Sequence, residues 1–113
     1  MTTVTFSLSG KKLVGFTVSG HAGYDEEGRD IVCSAVSAMT NLVFRTLEEG
    51  FCINPIVEVD QTTAKVFLKI PNELSDSKRK LADTVLESYM LELITLKDEY
   101  PEFISVLEEN NND

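Results

Sequence analysis

The chain has 113 residues, of which 42% are hydrophobic and 26% are charged. A chain of this length buries one core rather than two, and this balance is typical of folded globular proteins rather than of disordered ones. We therefore expect one domain that spans residues 1–113.

The charge balance limits the class of partner. Nineteen acidic and ten basic residues give a formal net charge of −9 at pH 7. This charge repels phosphate backbones, so we expect no direct binding of nucleic acid, whereas a basic protein or peptide is attracted. An acidic surface also serves solubility alone, so the charge does not name a partner.

No segment of the sequence is predicted to enter a membrane. The apolar runs fall well short of the ~20 residues that span a bilayer. The first residues, MTTVTFSLSGKK, lack the basic-then-apolar order of a signal peptide. We therefore expect a cytoplasmic protein without membrane contacts.

Alternating apolar residues predict a β-hairpin at the start of the chain. The alternating residues are Val4, Phe6, Leu8, Val14, Phe16 and Val18, with a turn at Ser9-Gly10-Lys11. The hairpin ends at Gly20. Residues 20–30 contain three glycines and four acids but little apolar content, which predicts a mobile surface loop.

Apolar residues at three- and four-residue steps predict a helix from Ile31 to Glu49. Its apolar stripe comprises Val32, Ala35, Val36, Met39, Leu42, Val43 and Leu47. Asp30 suits the N-cap, where its carboxylate accepts hydrogen bonds from free backbone N–H groups, and Gly50 suits the C-terminal stop.

The second half of the chain repeats this order of elements. Residues 56–59 and 64–70 predict a hairpin with a turn around Gln61 and Thr62. A helix follows from near residues 74–77, and Pro101 ends it because the residue before a proline resists helical angles. The residues of this helix predicted to face inward are Leu81, Val85, Leu86, Tyr89, Met90, Leu93 and Leu96.

These elements predict an α+β fold in the order ββαββα, with one antiparallel sheet from two hairpins and two helices packed on one face. Residues 103–107 could add a short edge strand. Residues 108–113 look like a frayed acidic tail. A sheet covered on only one face, or a helix pair that faces solvent, invites a homodimer.

Cys33 is the first candidate for chemistry. If Asp30 caps the helix, Cys33 lies in the first turn, where free N–H groups and the positive end of the helix dipole favour a thiolate. The neighbouring Ser34, Ala35, Ser37 and Ala38 are small, so a substrate backbone could approach closely. Backbone N–H groups at this helix start could also bind the oxygen of a tetrahedral intermediate.

His21, the only histidine, follows the first hairpin, and the flexible loop lets it approach Cys33. A free thiol is only a few per cent ionised at neutral pH, and a neighbouring imidazole can form a thiolate–imidazolium pair and then protonate the departing amine. Cysteine is also a common buried residue, and a histidine after a strand often only completes a turn. The spacing alone leaves both interpretations open.

The second cysteine, Cys52, lies beyond the far end of the predicted helix. At ~1.5 Å per residue the helix ends are roughly 27 Å apart, whereas a disulfide needs Cα atoms within ~7 Å. An intrachain disulfide, a shared zinc site and a resolving thiol are therefore excluded. We expect Cys52 to be buried packing, and we expect no metal and no cofactor.

Two further residues, Asp30 and Ser37, could support a reactive pair of Cys33 and His21. Asp30 could orient the ring of His21 as well as cap the helix. Ser37 lies one turn beyond Cys33 on the same helix face, where it could line a pocket or merely pack.

The segments GHA and GRDIVCSAVS, separated by a glycine-containing acidic loop, resemble the ribosomal-processing cysteine protease family Prp. The resemblance covers nearly all of the chain. It implies a dimeric bacterial enzyme that removes a short N-terminal extension from large-subunit ribosomal protein twenty-seven, cutting after two aromatic residues, and so supports ribosome assembly.

The resemblance also implies roles for individual residues. His21 would be the general base and Cys33 the nucleophile, with Asp30 and Ser37 in support. Residues 22–29 would form a mobile flap over the substrate; the flap includes Gly23, Tyr24 and Gly28. A basic ribosomal segment as substrate would also give the net charge of −9 a role.

Two other classes of function stay open. A non-catalytic acidic dimeric adaptor could bind a basic ribosomal protein without cutting it, and Cys33 would then be unreactive. A metal-binding protein using His21, Cys33 and nearby acids matches the spacing of structural zinc sites poorly. Labelling of Cys33 by iodoacetamide well below pH 8, lost on mutation of His21, would favour the enzyme.

Overall fold

The predicted first hairpin is present. The computed structural model describes the backbone of residues 1–20 and 27–110, and the side chains of residues 1–20 and 31–110. Strand β1 (Thr2–Ser9) pairs in antiparallel fashion with β2 (Lys12–Ser19). The turn between them contains Gly10 at φ +64°, a conformation that glycine adopts without strain.

The first helix begins earlier than its apolar stripe predicts. Helix α1 (Glu27–Arg45) continues into a π-helical turn (Thr46–Gly50). Asp30 is therefore the fourth residue of α1, and its assignment as N-cap is wrong. Glutamate and arginine are good helix formers, and one glycine costs only about 1 kcal/mol, so residues 27–30 extend the helix. The rest of the predicted loop, residues 21–26, lies outside the described residues.

The second hairpin and second helix are confirmed. Strands β3 (Ile56–Asp60) and β4 (Lys65–Lys69) are antiparallel, and helix α2 (Asp76–Glu99) follows them. Ser75 caps α2 by accepting a hydrogen bond from the backbone N–H of Lys78. The helix ends two residues before Pro101, as predicted.

A fifth strand changes the character of the sheet. Strand β5 (Ile104–Asn110) lies parallel to β1, and the strand order is β3-β4-β2-β1-β5. The sheet is therefore mixed, and the prediction of a purely antiparallel sheet is wrong. Residues 108–110, predicted as a frayed tail, are part of β5 because their backbone pairs with the second half of β1. Residues 111–113 lie outside the described residues.

Both helices contribute to one core against the same face of the sheet. The buried side chains include Val4, Phe6 and Phe16 of the sheet, Val32 and Val36 of α1, and Leu86, Tyr89 and Leu93 of α2. Leu42 and Leu81, predicted to face inward, are 63% and 40% exposed, because their immediate neighbours Val43 and Ala82 occupy the inward positions. Within the described ranges, neither helix combines the length and apolarity that a membrane crossing requires.

Candidate active site

Cys33 lies in a cavity between α1 and the sheet. The cavity has a volume of about 440 Å³. Thr2 and Gly20 line it from the first hairpin, Cys33 and Ser37 line it from α1, and Asp60 lines it from the end of β3. The Cys33 side chain is half-buried. Its sulfur is therefore held by the fold and still faces open space.

A second cavity of about 370 Å³ continues along α1 toward Phe44. The residues shared by the two cavities are Val18, Val36, Ser37, Val59 and Val66. We call the joined space the α1–β3 groove; it runs between α1 from Cys33 to Phe44 and strands β3 and β4 at Val57, Val59 and Val66. Its walls are mostly apolar, so it suits a chain with apolar side chains.

The Cys33 sulfur has a polar neighbour on β1. Thr2 Oγ1 lies 3.6 Å from Cys33 Sγ, within hydrogen-bonding reach for sulfur. Thr2 is only 5% exposed, and among the residues whose side chains are described it is the one buried polar residue. The hydroxyl is therefore directed at the thiol rather than at solvent.

The position of Cys33 within its helix differs from the prediction. Because α1 begins at Glu27, Cys33 is its seventh residue and lies in the second turn. The free N–H groups of a helix are those of its first four residues, and the dipole effect falls off within the first turn. The prediction that Cys33 lies among free N–H groups is therefore wrong. The prediction that backbone N–H groups at the helix start bind the oxyanion stays a prediction.

The other predicted site residues are placed only in part. Ser37 is exposed and lines the groove one turn beyond Cys33. Gly28 belongs to helix α1, so its assignment to a flexible loop is wrong. The backbone of Asp30 is also helical, and its side chain lies outside the described residues. His21, Gly23 and Tyr24 also lie outside the described residues. Their predicted roles stay predictions.

Cys52 is not the buried residue that we expected. It is exposed, and its φ of +56° places it in the left-handed region, immediately after Phe51, the residue that caps the π-helical turn. The next residue, Ile53, is 1% exposed and occupies the core position instead. Both cysteines are free thiols in the structure.

The turn between β3 and β4 places a negative charge at the groove. Asp60 Oδ1 accepts hydrogen bonds from the backbone N–H groups of Thr62 and Thr63 at 3.0 and 3.3 Å. Hydrogen bonds from the Thr63 side chain and backbone lower the pKa of Asp60, with smaller help from Thr62 and nearby Lys65. Asp60 therefore stays ionised at neutral pH beside the cavity that contains Cys33.

A buried tyrosine anchors the middle of α1. The Tyr89 hydroxyl lies 2.7 Å from Thr40 Oγ1, which itself donates to the Val36 carbonyl. Burial raises the pKa of Tyr89 to about 12, and the hydrogen bond with Thr40 opposes this rise. The Tyr89 ring packs against Phe6 and Phe16, so α2 and the sheet together fix the groove-lining part of α1.

The described side chains contain no group of three or more histidine, cysteine, aspartate or glutamate residues that could hold a metal ion. Of the possible ligands discussed above, only Cys33 has a described side chain.

Comparisons with known proteins give the family. A family model described as cysteine protease Prp matches residues 1–105. The ribosomal processing cysteine protease Prp of Mycoplasma pneumoniae is 40% identical over 90 residues, which cover 79% of this chain and 81% of that protein. The protein of the same name from Bacillus subtilis is 23% identical over 96 residues, covering 85% of this chain and 86% of that protein.

Solved structures agree on the fold. Prp from S. aureus, an essential ribosomal processing protease, has been solved with a substrate peptide and with a covalently linked product peptide. These structures match with TM-scores of 0.83 and 0.80 at 23% and 24% identity, over 96% of this chain and 100% of theirs.

The family model and the curated relatives define a cysteine protease. The chain belongs to the cysteine protease Prp family.

Thr2 and the groove residues of β3 were not predicted from the sequence as site residues. The hairpin register could have indicated Thr2. Thr3 pairs with Ser19, so Thr2 lies opposite Gly20, the residue that precedes His21 in the chain. The sequence predicted Val57 and Val59 only as strand residues. Whether they line the groove depends on how far α1 extends across the sheet, which the sequence pattern does not indicate.

Proposed function

We propose that this chain is an endopeptidase that removes the N-terminal extension of bacterial large-subunit ribosomal protein twenty-seven, with Cys33 as nucleophile and His21 as general base. The observation that supports it most is the half-buried Cys33 thiol at one end of the α1–β3 groove. We further propose that residues 1–113 act as one catalytic domain, as a homodimer in the bacterial cytoplasm, in ribosome assembly.

The dimensions of the groove fit a short extended peptide. Phe44 follows Cys33 by eleven residues on α1. At ~1.5 Å per residue this is roughly 16 Å, the length of about five extended residues at ~3.3 Å each. The groove therefore has room for the residues on one side of a scissile bond while the bond itself lies at the thiol.

The walls of the groove favour apolar side chains. Val57, Val59 and Val66 form one side, and Phe44 lies at the far end from Cys33. These contacts suit the aromatic pair that the family resemblance implies before the cleavage point. The net charge of −9 then attracts the basic remainder of a ribosomal protein.

The chemical steps follow from a thiol and an imidazole. His21 would take the Cys33 proton, and the thiolate would attack the peptide carbonyl to form a tetrahedral intermediate. The imidazolium would then protonate the departing amine, leaving a thioester that water hydrolyses to restore the thiol. Asp30 and Ser37 would support this pair, and the segment with Gly23 and Tyr24 would cover the bound peptide.

The proposal is tested by cleavage of the extended ribosomal protein. The purified chain is incubated with that protein, and the products are measured by mass spectrometry. Cys33→Ala should abolish the shortened product while keeping the wild-type circular dichroism spectrum. Cys52→Ala, the matched change at the exposed cysteine, should cleave like the wild type. Continued cleavage by a folded Cys33→Ala variant would reject the proposal.

The role of His21 needs its own variant. His21→Ala should reduce cleavage as strongly as Cys33→Ala, because the two groups act as a unit. It should also abolish iodoacetamide labelling of Cys33 well below pH 8. A folded His21→Ala variant that keeps both properties would remove the histidine from the mechanism.

A further inference from the structure

We infer that the Thr2 hydroxyl is a hydrogen-bond donor to the Cys33 thiolate and is part of the reactive centre; this inference rests on the proposed role of Cys33 as nucleophile. Its basis is the 3.6 Å separation of Thr2 Oγ1 and Cys33 Sγ. When Cys33 is a thiol, either atom can donate. Once the sulfur is ionised only Thr2 can donate, so the contact favours the charged form.

The helix itself supplies little of this stabilisation. Cys33 lies in the second turn of α1, so its own N–H belongs to the helical hydrogen bonds and the first-turn N–H groups lie behind it. Thr2 is the polar side chain that the described structure places against the sulfur. We therefore assign stabilisation of the Cys33 thiolate to the neutral Thr2 hydroxyl on β1, whereas the sequence suggested the first turn of the helix for this role.

The surroundings hold the hydroxyl in place. Thr2 is 5% exposed, and its backbone N–H donates to the Phe103 carbonyl at 2.9 Å. A Cβ at Gly20 would lie 3.3 Å from Thr2 Oγ1, closer than an ordinary van der Waals contact. Gly20 thus leaves the space that the threonine hydroxyl occupies beside Cys33.

The chemical consequence is a thiolate that keeps a hydrogen-bond partner throughout the reaction. A hydrogen bond to a charged group is stronger than one between neutral groups. Thr2 neither gains nor loses a proton during the reaction. It remains a donor while the Cys33 proton moves to the base, and the sulfur later forms the thioester.

The experiment measures the pH profile of Cys33 alkylation in the Cys52→Ala background, where Cys33 is the only thiol. Thr2→Val keeps the shape of the side chain but removes the donor, and we expect the midpoint of the profile to rise by about one pH unit. Thr2→Ser keeps the donor and should restore the midpoint. Thermal unfolding identifies any variant that is not folded.

Thr2→Ala is the second variant without a hydroxyl, to be used if Thr2→Val does not fold. Equal midpoints for the parent and a folded variant without the hydroxyl would overturn the inference, and so would a Thr2→Ser midpoint that follows Thr2→Val. Alkylation needs no peptide, so this result is independent of cleavage. Cleavage by Cys33→Ala would reject the proposed function, whereas an unchanged midpoint with normal Cys33-dependent cleavage would reject only the role of Thr2.

Discussion

The two cysteines lie toward opposite ends of the same helical segment and differ in almost every respect. Cys33 is half-buried, faces the α1–β3 groove and lies 3.6 Å from a buried hydroxyl. Cys52 is exposed, follows the π-helical turn and has a left-handed backbone. Exposure alone would select Cys52 as the reactive thiol. The groove and the neighbouring Thr2 hydroxyl instead support Cys33, which we propose as the nucleophile.

The largest expected effect separates the two thiols by ligand protection. A peptide with the cleavage sequence and a reduced scissile bond, at 100 times its Kd, should slow alkylation of Cys33 about 100-fold because only the free fraction reacts. Alkylation of Cys52 should change less than twofold. Peptide mapping by mass spectrometry gives both rates in one sample. Equal protection of both cysteines would contradict a specific groove.

A second effect tests the apolar wall of the groove. Val59→Gln should raise the KM for the peptide about tenfold, because a polar group replaces apolar contact area while the chemistry at Cys33 is unchanged. Leu91→Gln is the matched control, since Val59 and Leu91 are 61% and 62% exposed and only Val59 lines the groove. Similar KM values for Val59→Gln and Leu91→Gln would show that the peptide does not bind in the α1–β3 groove.

A smaller effect is expected from Gly20, which lines the same cavity as Cys33. Gly20→Ala would push the added Cβ against Thr2 Oγ1, and we expect kcat to fall about fivefold because the donor moves from its position. Gly50→Ala is the control near Cys52, because its Cβ would meet only Thr46 Cγ2 at 3.9 Å. Steady-state kinetics decides, and equal kcat values would show that Thr2 tolerates the displacement.

The smallest effect at neutral pH is expected from Tyr89, whose hydroxyl contacts Thr40 on α1 between the two cysteines. Tyr89→Phe should leave cleavage at pH 7 within twofold, because the ring and its packing remain. The pKa of Tyr89 is raised from 10.0 to about 12, so the unfolded state ionises first. Stability should therefore be lost as pH rises from 10 toward 12, by at most about 3 kcal/mol.

Denaturant unfolding from pH 9 to 12 measures this loss. The slope should be present in the wild type and reduced in Tyr89→Phe. The same slope in both proteins would assign the alkaline transition to other groups.

The order of helices and strands was predictable because each has a strong periodic pattern. The residues at which they begin and end, and the strands that pair with each other, were not predictable. The alternation in residues 103–107 indicated a strand, but its pairing partner and direction depend on where α2 returns the chain. Helix α1 begins before its apolar stripe because residues 27–30 are helical without apolar residues. Patterns locate the buried part of an element better than its ends.

The candidate site shows the same limit at the level of single residues. Cys33 and Ser37 were identified from local spacing, and both line the groove. The exposure of Cys52 depends on a backbone angle at the end of a π-helical turn, which composition does not indicate. Thr2 lies thirty-one residues from Cys33, and the contact exists only after the hairpin packs against α1.

The parallel strand β5 has a consequence for biosynthesis. Its Ile104 pairs with Thr2, and the carbonyl of Phe103 accepts the Thr2 backbone N–H. The pocket around Cys33 therefore depends on residues that the ribosome adds some seventy positions after Cys33 itself. A nascent chain that lacks this strand holds Cys33 without the framework around it, so we expect the proposed proteolytic activity only after synthesis of this strand.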